Sequence, residues 1–234
     1  MTWLRHLAIV VLTVAALVVP VTPAAAVTST ECSATHFQDD PRLGPEVLPD
    51  RGAVGRQLFG YQRTGHLSQQ QFFDRYWDSA ANWWRYPPAD GYVIGPDGKP
   101  LIFRTKLVNG QLIDRYGSEF GQYLAPIGSP YASRSIPPQS LVSTPAAYCN
   151  YRAYRVTRSF TVDSGPIAPW FAQPGHGWQY QLKTEHVPGA PSPLNVKWLL
   201  DNGYLERVIG PPQGARYAPS ALGADEEKFL LAVR

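Results

Sequence analysis

The chain lacks most of the patterns that would assign a function directly. Its 234 residues include two cysteines and one methionine, and the formal net charge is only +3. No block of Lys or Arg stands out, so we do not expect a nucleic-acid-binding surface. The absence of G-x-S-x-G, H-E-x-x-H, Walker and G-x-G-x-x-G motifs disfavours a serine hydrolase, a zinc enzyme and a dinucleotide-binding Rossmann domain. No Cys/His spacing resembles a zinc site, and we assign no metal.

A short apolar run lies near the N-terminus. Arg5 and His6 precede the apolar residues 7–19, and a Pro-rich break leads to the small residues 24–26. The run of about 13 residues is short of the roughly 20 that span a bilayer. Residues 1–26 are therefore predicted to be a secretory signal peptide, with an uncleaved anchor as the alternative. We expect a secreted, extracellular protein with no membrane segment in its mature form.

The two cysteines are Cys32 and Cys149. In an oxidising environment outside the cell, a single disulfide between them is the default, and two free thiols are the alternative. The bridge would close a loop of about 117 residues, which is worth roughly 4–5 kcal/mol in the chain-entropy model.

Aromatic residues, proline and glycine are abundant. The chain has 7 Trp, 13 Tyr, 9 Phe, 23 Pro and 20 Gly, a composition that favours a folded protein with short strands and many turns. Ser68 is a predicted N-cap, and the apolar face from Phe72 to Ala80 predicts a helix ending before Pro87. We therefore predict an α+β fold: a compact β-rich domain with small antiparallel sheets after an N-terminal helical accessory region.

Several local elements can be predicted after residue 91. Asn109 and Gly110 indicate a hairpin between residues 100–106 and 111–113. Residues 178–182 alternate as a strand, and Asn195 is a candidate N-cap for a helical turn over 194–200.

Two arginines lie in segments bounded by Gly or Pro. Arg115 follows the return strand of the predicted hairpin, and Arg134 precedes Ile136-Pro137-Pro138. The planar guanidinium suits phosphate, because it offers two parallel donors. Two such groups close together would suit a diphosphate. The alternative is a pair of surface arginines neutralised by Asp114 and Glu119.

Gln179 enters the strand at 178–182 directly after the loop Gly175-His176-Gly177. Its amide could both donate to and accept from a ribose hydroxyl or an amide. The alternative is an ordinary exposed strand glutamine. His176 is interpreted as a solvated loop residue.

Five segments together resemble the tuberculosis necrotizing toxin (TNT) family of NAD⁺ glycohydrolases, in order and spacing over about 120 residues. They are YPPADGYV (86–93), IDRYGSEFGQYLAP (113–126), YASRSIPP (131–138), PWFAQPGHGWQY (169–180) and LLDNGYLERV (199–208). The N-terminal segment CSATHFQDDPRLGPEVLP and the aromatic helix resemble the leader of secreted, fungal-type members.

The resemblance implies a β-rich fold and cleavage of the nicotinamide–ribose bond of NAD⁺ or NADP⁺, which releases ADP-ribose. It places the family's DR-aromatic-G arginine on Arg115, its aromatic on Tyr123, its second arginine on Arg134 and its glutamine on Gln179, with Gln181 as the alternative. Arg115, Tyr123 and Gln179 are thereby predicted as catalytic, and Arg115, Tyr123 and Arg134 as substrate-binding. The histidine that is functional in the toxin has no clear counterpart.

The resemblance also divides the chain. It predicts an accessory segment over 27–85, a catalytic domain over 86–208 and a tail over 209–234, after the signal peptide of 1–26. NAD⁺ is then a substrate and no cofactor is expected. Fungal-type members can bind calcium through the C-terminal region, but the adjacent carboxylates 225–227 do not define a cage, so calcium stays unassigned. A homodimer and an immunity protein are the expected further partners.

A neutral glutamine stabilises a ribosyl cation less than a carboxylate does. Glu119 and Glu185 are the candidates for the missing negative charge, and neither is assigned to the site. Two other functions stay open from the sequence: an ADP-ribosyltransferase that modifies protein, and a secreted binding module without catalysis.

Overall fold

The computed structural model describes residues 29–209. The predicted signal peptide over 1–26, nearly all of the tail over 209–234 and the carboxylates at 225–227 lie outside the described residues. Within residues 29–209, no helix is long and apolar enough to cross a membrane.

Within residues 29–209, nine strands and three α-helices form a β-rich α+β fold, so the predicted class is confirmed. The helices are α1 (Gly52–Gln57), α2 (Gln69–Tyr76) and α3 (Val196–Asp201). The strands are β1 (Trp77–Asp78), β2 (Trp83–Trp84), β3 (Phe103–Leu107), β4 (Leu112–Tyr116), β5 (Tyr123–Pro126), β6 (Tyr151–Val156), β7 (Phe160–Pro166), β8 (Trp178–Gln181) and β9 (Leu205–Ile209). Single 3-10 turns lie at Phe37–Asp39, Pro41–Leu43, Ala89–Gly91, Tyr131–Arg134, Pro138–Leu141, Ala146–Tyr148 and Thr184–His186.

One antiparallel sheet of seven strands organises the described chain. Its order is β3-β7-β8-β5-β4-β6-β9, and β1 pairs separately with β2. The sheet is thus larger than the small sheets expected from the sequence, because segments far apart in the chain pair with one another. Strands β8, β5 and β4 lie side by side near its middle.

The prediction of a hairpin around Asn109 and Gly110 is wrong, because β3 and β4 do not pair with each other. A turn does form there, but β3 pairs with β7 and β4 pairs with β5 and β6. Each of β3 and β4 finds five register partners in the β6–β7 segment. The loop between β3 and β4 instead lies against the loop between β6 and β7, since the amide of Gly110 donates a hydrogen bond to the carbonyl of Val156. Long-range pairing therefore overrides the local turn preference.

The aromatic helix begins as predicted and ends earlier than predicted. Ser68 caps α2 in a capping box with Gln71, an arrangement that satisfies two backbone donors. The helix stops at Tyr76 because Asp78 accepts hydrogen bonds from the amides of the two alanines that follow it. That side-chain turn competes with helix continuation.

Three buried clusters support the sheet. The largest joins sheet residues such as Ile113 and Tyr154 to Leu199 of α3. A second cluster surrounds the cysteines and includes Tyr116 and Tyr131. A third is aromatic and packs α2 and the β1–β2 ribbon against Phe171; its buried members are Phe72, Tyr76, Trp84 and Phe171.

The predicted disulfide between Cys32 and Cys149 is confirmed, with 5.2 Å between the Cα atoms. Both cysteines are buried within the second cluster. The bridge holds the start of the described chain against the sheet.

Asn195 caps α3 as predicted, because its side chain accepts a hydrogen bond from the amide of Trp198. The helix packs its buried face, Val196 and Leu199, onto the sheet. The strand predicted at 178–182 is also confirmed, as β8.

Candidate active site

A cavity of about 790 Å³ opens beside the middle of the sheet. That volume lies within the range of small-molecule binding sites. Of the predicted residues, Arg115, Tyr123, Arg134 and Gln179 all line it. The sheet order brings three of them together, because Arg115, Tyr123 and Gln179 belong to the adjacent strands β4, β5 and β8.

The side chain of Arg115 extends from the end of β4 and packs against two glycines, Gly117 and Gly121. Its Nη1 donates to the carbonyl of Tyr123 over 2.7 Å. A Cβ atom at Gly117 would lie 2.8 Å from Nη2, and one at Gly121 would lie 2.5 Å from Nη1. The guanidinium therefore occupies this place only because both neighbours lack side chains.

Among the described residues, no ion pair neutralises the charge of Arg115. Within residues 29–209, no carboxylate lies in salt-bridge range of its guanidinium. Burial, with a further contribution from the neighbouring Arg152, lowers the pKa of Arg115 to about 10, so the group stays charged at neutral pH. A partly buried cation without a carboxylate partner among the described residues is a suitable site for an anionic ligand.

Arg134 lines the same cavity in a different electrostatic state. It is 6% exposed, and its Nη1 lies 2.7 Å from Oδ1 of the fully buried Asp114. Burial opposes its charge, but the ion pair outweighs burial and raises the pKa of Arg134. The carbonyl of Ser129 and the side chain of Gln57 accept further bonds from its guanidinium.

The pairing that the sequence offered as the alternative thus exists for Arg134, although it is buried rather than at the surface. Asp114 also accepts hydrogen bonds from the Tyr151 hydroxyl and the Gly128 amide. Alternation along β4 places Asp114 and Arg115 on opposite faces of the sheet. Arg134 is accordingly tied to the structure in a way that Arg115 is not, and its contact with substrate stays a prediction.

Tyr123 and the two glutamines all donate hydrogen bonds to Asp90. The Tyr123 hydroxyl donates to Oδ1 over 3.2 Å, and Gln181 Nε2 donates to Oδ2 over 3.0 Å. Gln179 Nε2 donates instead to the backbone carbonyl of Asp90 over 3.0 Å. Burial raises the pKa of Tyr123 to about 12, so its hydroxyl remains a donor at neutral pH.

The two glutamines occupy different places. Gln179 lines the cavity, whereas Gln181 lies behind it, where it contacts Asp90 and the Tyr123 hydroxyl. Both are buried, so the interpretation of Gln179 as an ordinary exposed strand residue does not hold. The bond from Nε2 to the backbone carbonyl of Asp90 holds the amide of Gln179 in place at the cavity wall.

The mouth of the cavity carries exposed aromatic rings that the sequence analysis did not assign to the site. Phe120 is 73% exposed and Trp83 is 63% exposed, and Tyr86 lines the wall beside Trp83. Trp83 precedes the predicted catalytic domain, which begins at Tyr86, yet both residues line its cavity. Their proximity depends on the β1–β2 ribbon and could not be read from sequence spacing.

The other candidates lie elsewhere. Glu119 is buried and forms a bidentate pair with Arg207, with distances of 2.7 and 2.6 Å. Glu185 and His176 are exposed and do not line the cavity. Over residues 29–209, no group of three or more His, Cys, Asp or Glu is arranged to hold a metal ion.

Comparison with known proteins gives two strong matches. The family model described as Tuberculosis necrotizing toxin matches residues 106–208. The conidial surface nicotinamide adenine dinucleotide glycohydrolase nadA of Aspergillus fumigatus is 42% identical over 177 residues, which cover 74% of this chain and 71% of that protein.

Two solved structures are similar at lower identity. Tuberculosis necrotizing toxin in complex with its immunity factor is 22% identical, with a TM-score of 0.47, over 79% of this chain and 98% of that one. Rhs1-CT in complex with its cognate immunity protein is 14% identical, with a TM-score of 0.33, over 54% and 86%. The Aspergillus relative is similar over most of both chains, and the family model covers Arg115, Tyr123, Arg134 and Gln179. This chain therefore belongs to the tuberculosis necrotizing toxin family.

Proposed function

We propose that this protein is an NAD⁺ glycohydrolase that cleaves the bond between nicotinamide and ribose in NAD⁺ or NADP⁺. The observation that carries the proposal is the convergence of Arg115, Tyr123 and Gln179 on one cavity, in a chain 42% identical to a protein named as such a glycohydrolase. The products are nicotinamide and ADP-ribose, or its phosphate when NADP⁺ is the substrate.

Each residue has a role that follows from its environment. Arg115 is a cation without a carboxylate partner in the part of the chain that the structure describes, so it binds the diphosphate. Tyr123 presents a half-exposed ring beside Arg115 and packs against the nicotinamide end. Gln179 offers Oε1 to a ribose hydroxyl or to the attacking water.

Cleavage of the nicotinamide–ribose bond does not require a general acid. Nicotinamide is already a cationic leaving group, so its departure needs no proton donor. The barrier lies in the positive charge that develops on the ribose, as in glycoside hydrolysis. The protein must hold the diphosphate, orient the ribosyl carbon and admit one water.

Arg134 has a supporting part in this proposal. Its charge is committed to Asp114, so it shapes the cavity wall and contributes less to phosphate binding than Arg115 does. Replacement of Arg134 would then act mainly through stability, whereas replacement of Arg115 would act through substrate binding.

The direct test is release of nicotinamide from NAD⁺, followed with fluorescent etheno-NAD⁺. We expect Gln179→Ala to lower kcat by about 100-fold, with an unchanged circular dichroism spectrum. Gln70→Ala is the matched control, because Gln70 is an exposed glutamine on α2 that bonds only its neighbour Asp74 among the described residues. Near-parental turnover by Gln179→Ala would remove Gln179 from the reaction.

Arg115→Ala tests the anion site in the same assay. We expect kcat/KM to fall about 100-fold, since a charge-assisted bidentate contact to phosphate is lost. Arg155→Ala is the control, because Arg155 lies on the adjacent strand β6 and pairs at the surface with Glu206. NAD⁺ labelled in its adenylate half separates the alternative activity: label that becomes attached to protein, without free ADP-ribose, would indicate a transferase.

The cellular setting forms the remaining part of the proposal. We propose that residues 1–26 direct export and that the mature enzyme acts outside the cell; the name of the Aspergillus relative, a conidial surface protein, supports this. A homodimer, an immunity protein and the division at residues 27–85 and 86–208 stay predictions, and calcium stays unassigned.

A further inference from the structure

Asp90 lines the cavity and anchors Tyr123 and both glutamines, but its carboxylate has no assigned part in the reaction. It forms the middle of the turn Ala89–Gly91 and lines the cavity next to Gln179. Ala89 and Asp90 have φ angles of 52° and 54°, in the left-handed region that non-glycine residues seldom adopt. Residues with such strained backbone angles are concentrated at active sites and ligand-binding sites.

Three side chains hold the carboxylate in place. Gln181 and the Tyr123 hydroxyl donate to its two oxygens, and Lys183 Nζ lies 3.6 Å from Oδ2. The hydrogen bond from Gln181 and the charge of Lys183 outweigh partial burial and hold the pKa of Asp90 below its ordinary value. The group is therefore negatively charged at neutral pH.

Asp90 also fixes the catalytic glutamine. Its backbone carbonyl accepts the hydrogen bond from Gln179 Nε2, so the amide and the carboxylate belong to one turn. Of the residues that line the cavity within 29–209, Asp90 is the one carboxylate. Glu119 is engaged with Arg207, and Glu185 lies outside the cavity.

We propose that Asp90 is a catalytic residue whose carboxylate stabilises the positive charge on the ribosyl carbon during nicotinamide release. This inference rests on the proposed function. The bond between the ribosyl carbon and the pyridinium nitrogen breaks, and its electron pair goes to that nitrogen, which leaves neutral nicotinamide. Water then adds its oxygen to the ribosyl carbon and releases a proton to solvent.

The position of Asp90 supplies the negative charge that Gln179 lacks. A fixed charge facing the carbon is worth more in the transition state than in the ground state, because the ring charge grows as the bond breaks. Its side chain is 52% exposed, so water screens part of this effect. Loss of the charge should therefore lower kcat by about 10- to 100-fold.

The test compares Asp90→Asn with the parent enzyme. Asn tolerates the left-handed backbone and keeps the shape of the side chain, so the turn and the Gln179 anchor persist. We expect kcat to fall 10- to 100-fold while KM stays within about threefold. Asp97→Asn is the matched control, because Asp97 is also a turn aspartate but lies outside the cavity.

Two further measurements separate charge from positioning. Lys183→Ala removes the ion pair and keeps the carboxylate. A decrease in kcat equal to that of Asp90→Asn would therefore overturn the proposal. An ADP-linked pyrrolidine, which mimics the cationic ribose, should lose at least tenfold more affinity for Asp90→Asn than neutral ADP-ribose does. Equal losses for the two ligands would also overturn it.

The outcomes distinguish the role of Asp90 from the proposed glycohydrolase activity. A parent enzyme that releases no nicotinamide refutes the proposed function. An active parent together with an equally active, folded Asp90→Asn variant refutes only the role of Asp90.

Discussion

Gly121→Ala is the sharpest test of the anion site, because it moves Arg115 without replacing it. The added Cβ would lie 2.5 Å from Nη1 and 2.7 Å from Cζ of Arg115, whereas ordinary contact begins at 3.4 Å. The guanidinium must therefore shift by about 1 Å. Gly121 has no positive φ, so alanine fits its backbone and the free energy of unfolding should change by less than about 1 kcal/mol.

A displacement of about 1 Å at a substrate-positioning group can cost about 100-fold in rate. We expect kcat/KM for etheno-NAD⁺ to fall 10- to 100-fold, mainly through KM, because diphosphate binding is common to the ground and transition states. Thermal unfolding should show that the variant is as stable as the parent.

A double-mutant cycle tests whether the effect of Gly121→Ala on kcat/KM arises from displacement of Arg115. If Gly121→Ala acts through Arg115, it should cost nothing further in an Arg115→Ala background. Gly95→Ala is the matched control: its Cβ would meet the end of the Leu101 side chain at 2.8 Å, outside the cavity. An unchanged kcat/KM in stable Gly121→Ala, or full additivity with Arg115→Ala, would refute the assignment of Arg115.

Three further predictions concern stability. Replacing both Cys32 and Cys149 by serine should remove roughly 4 kcal/mol of unfolding free energy, visible as a lower Tm. Asp114→Asn should cost about 3–5 kcal/mol in urea unfolding, because it leaves the buried charge of Arg134 uncompensated. Ser68→Ala should cost about 1 kcal/mol, since it removes the N-cap of α2.

Each of these predictions has its own control. Thiol reductant should lower the Tm of the parent and leave the double serine variant unaffected; equal Tm values for parent and variant would contradict the disulfide prediction. Glu206→Gln breaks an exposed pair with Arg155 and should cost less than about 1 kcal/mol; a cost equal to that of Asp114→Asn would argue against the buried pair. Parental stability of Ser68→Ala would show that the cap contributes nothing.

Local signals in the sequence were enough for several elements. Ser68 and Asn195 were identified as N-caps because capping depends on a residue and its three or four successors. The strand at 178–182 follows from its alternation. The disulfide followed from counting, since two cysteines allow one intramolecular pair. The family resemblance supplied the four site residues, because its motifs fall within short segments.

The sequence by itself thus determined the β-rich class, the caps, the single bridge and the residues to examine. Only the tertiary structure decided that β3 and β4 do not pair, because β3 pairs with β7 and β4 pairs with β6, whose residues lie 35 to 61 positions away in sequence. It also decided that Asp114 neutralises Arg134 while Arg115 has no carboxylate partner within residues 29–209. Asp90 emerged in the same way, since its neighbour Gln179 is 89 positions distant. The charge state and exposure of a side chain depend on which segments pack against it, and sheet pairing over long separations sets that packing.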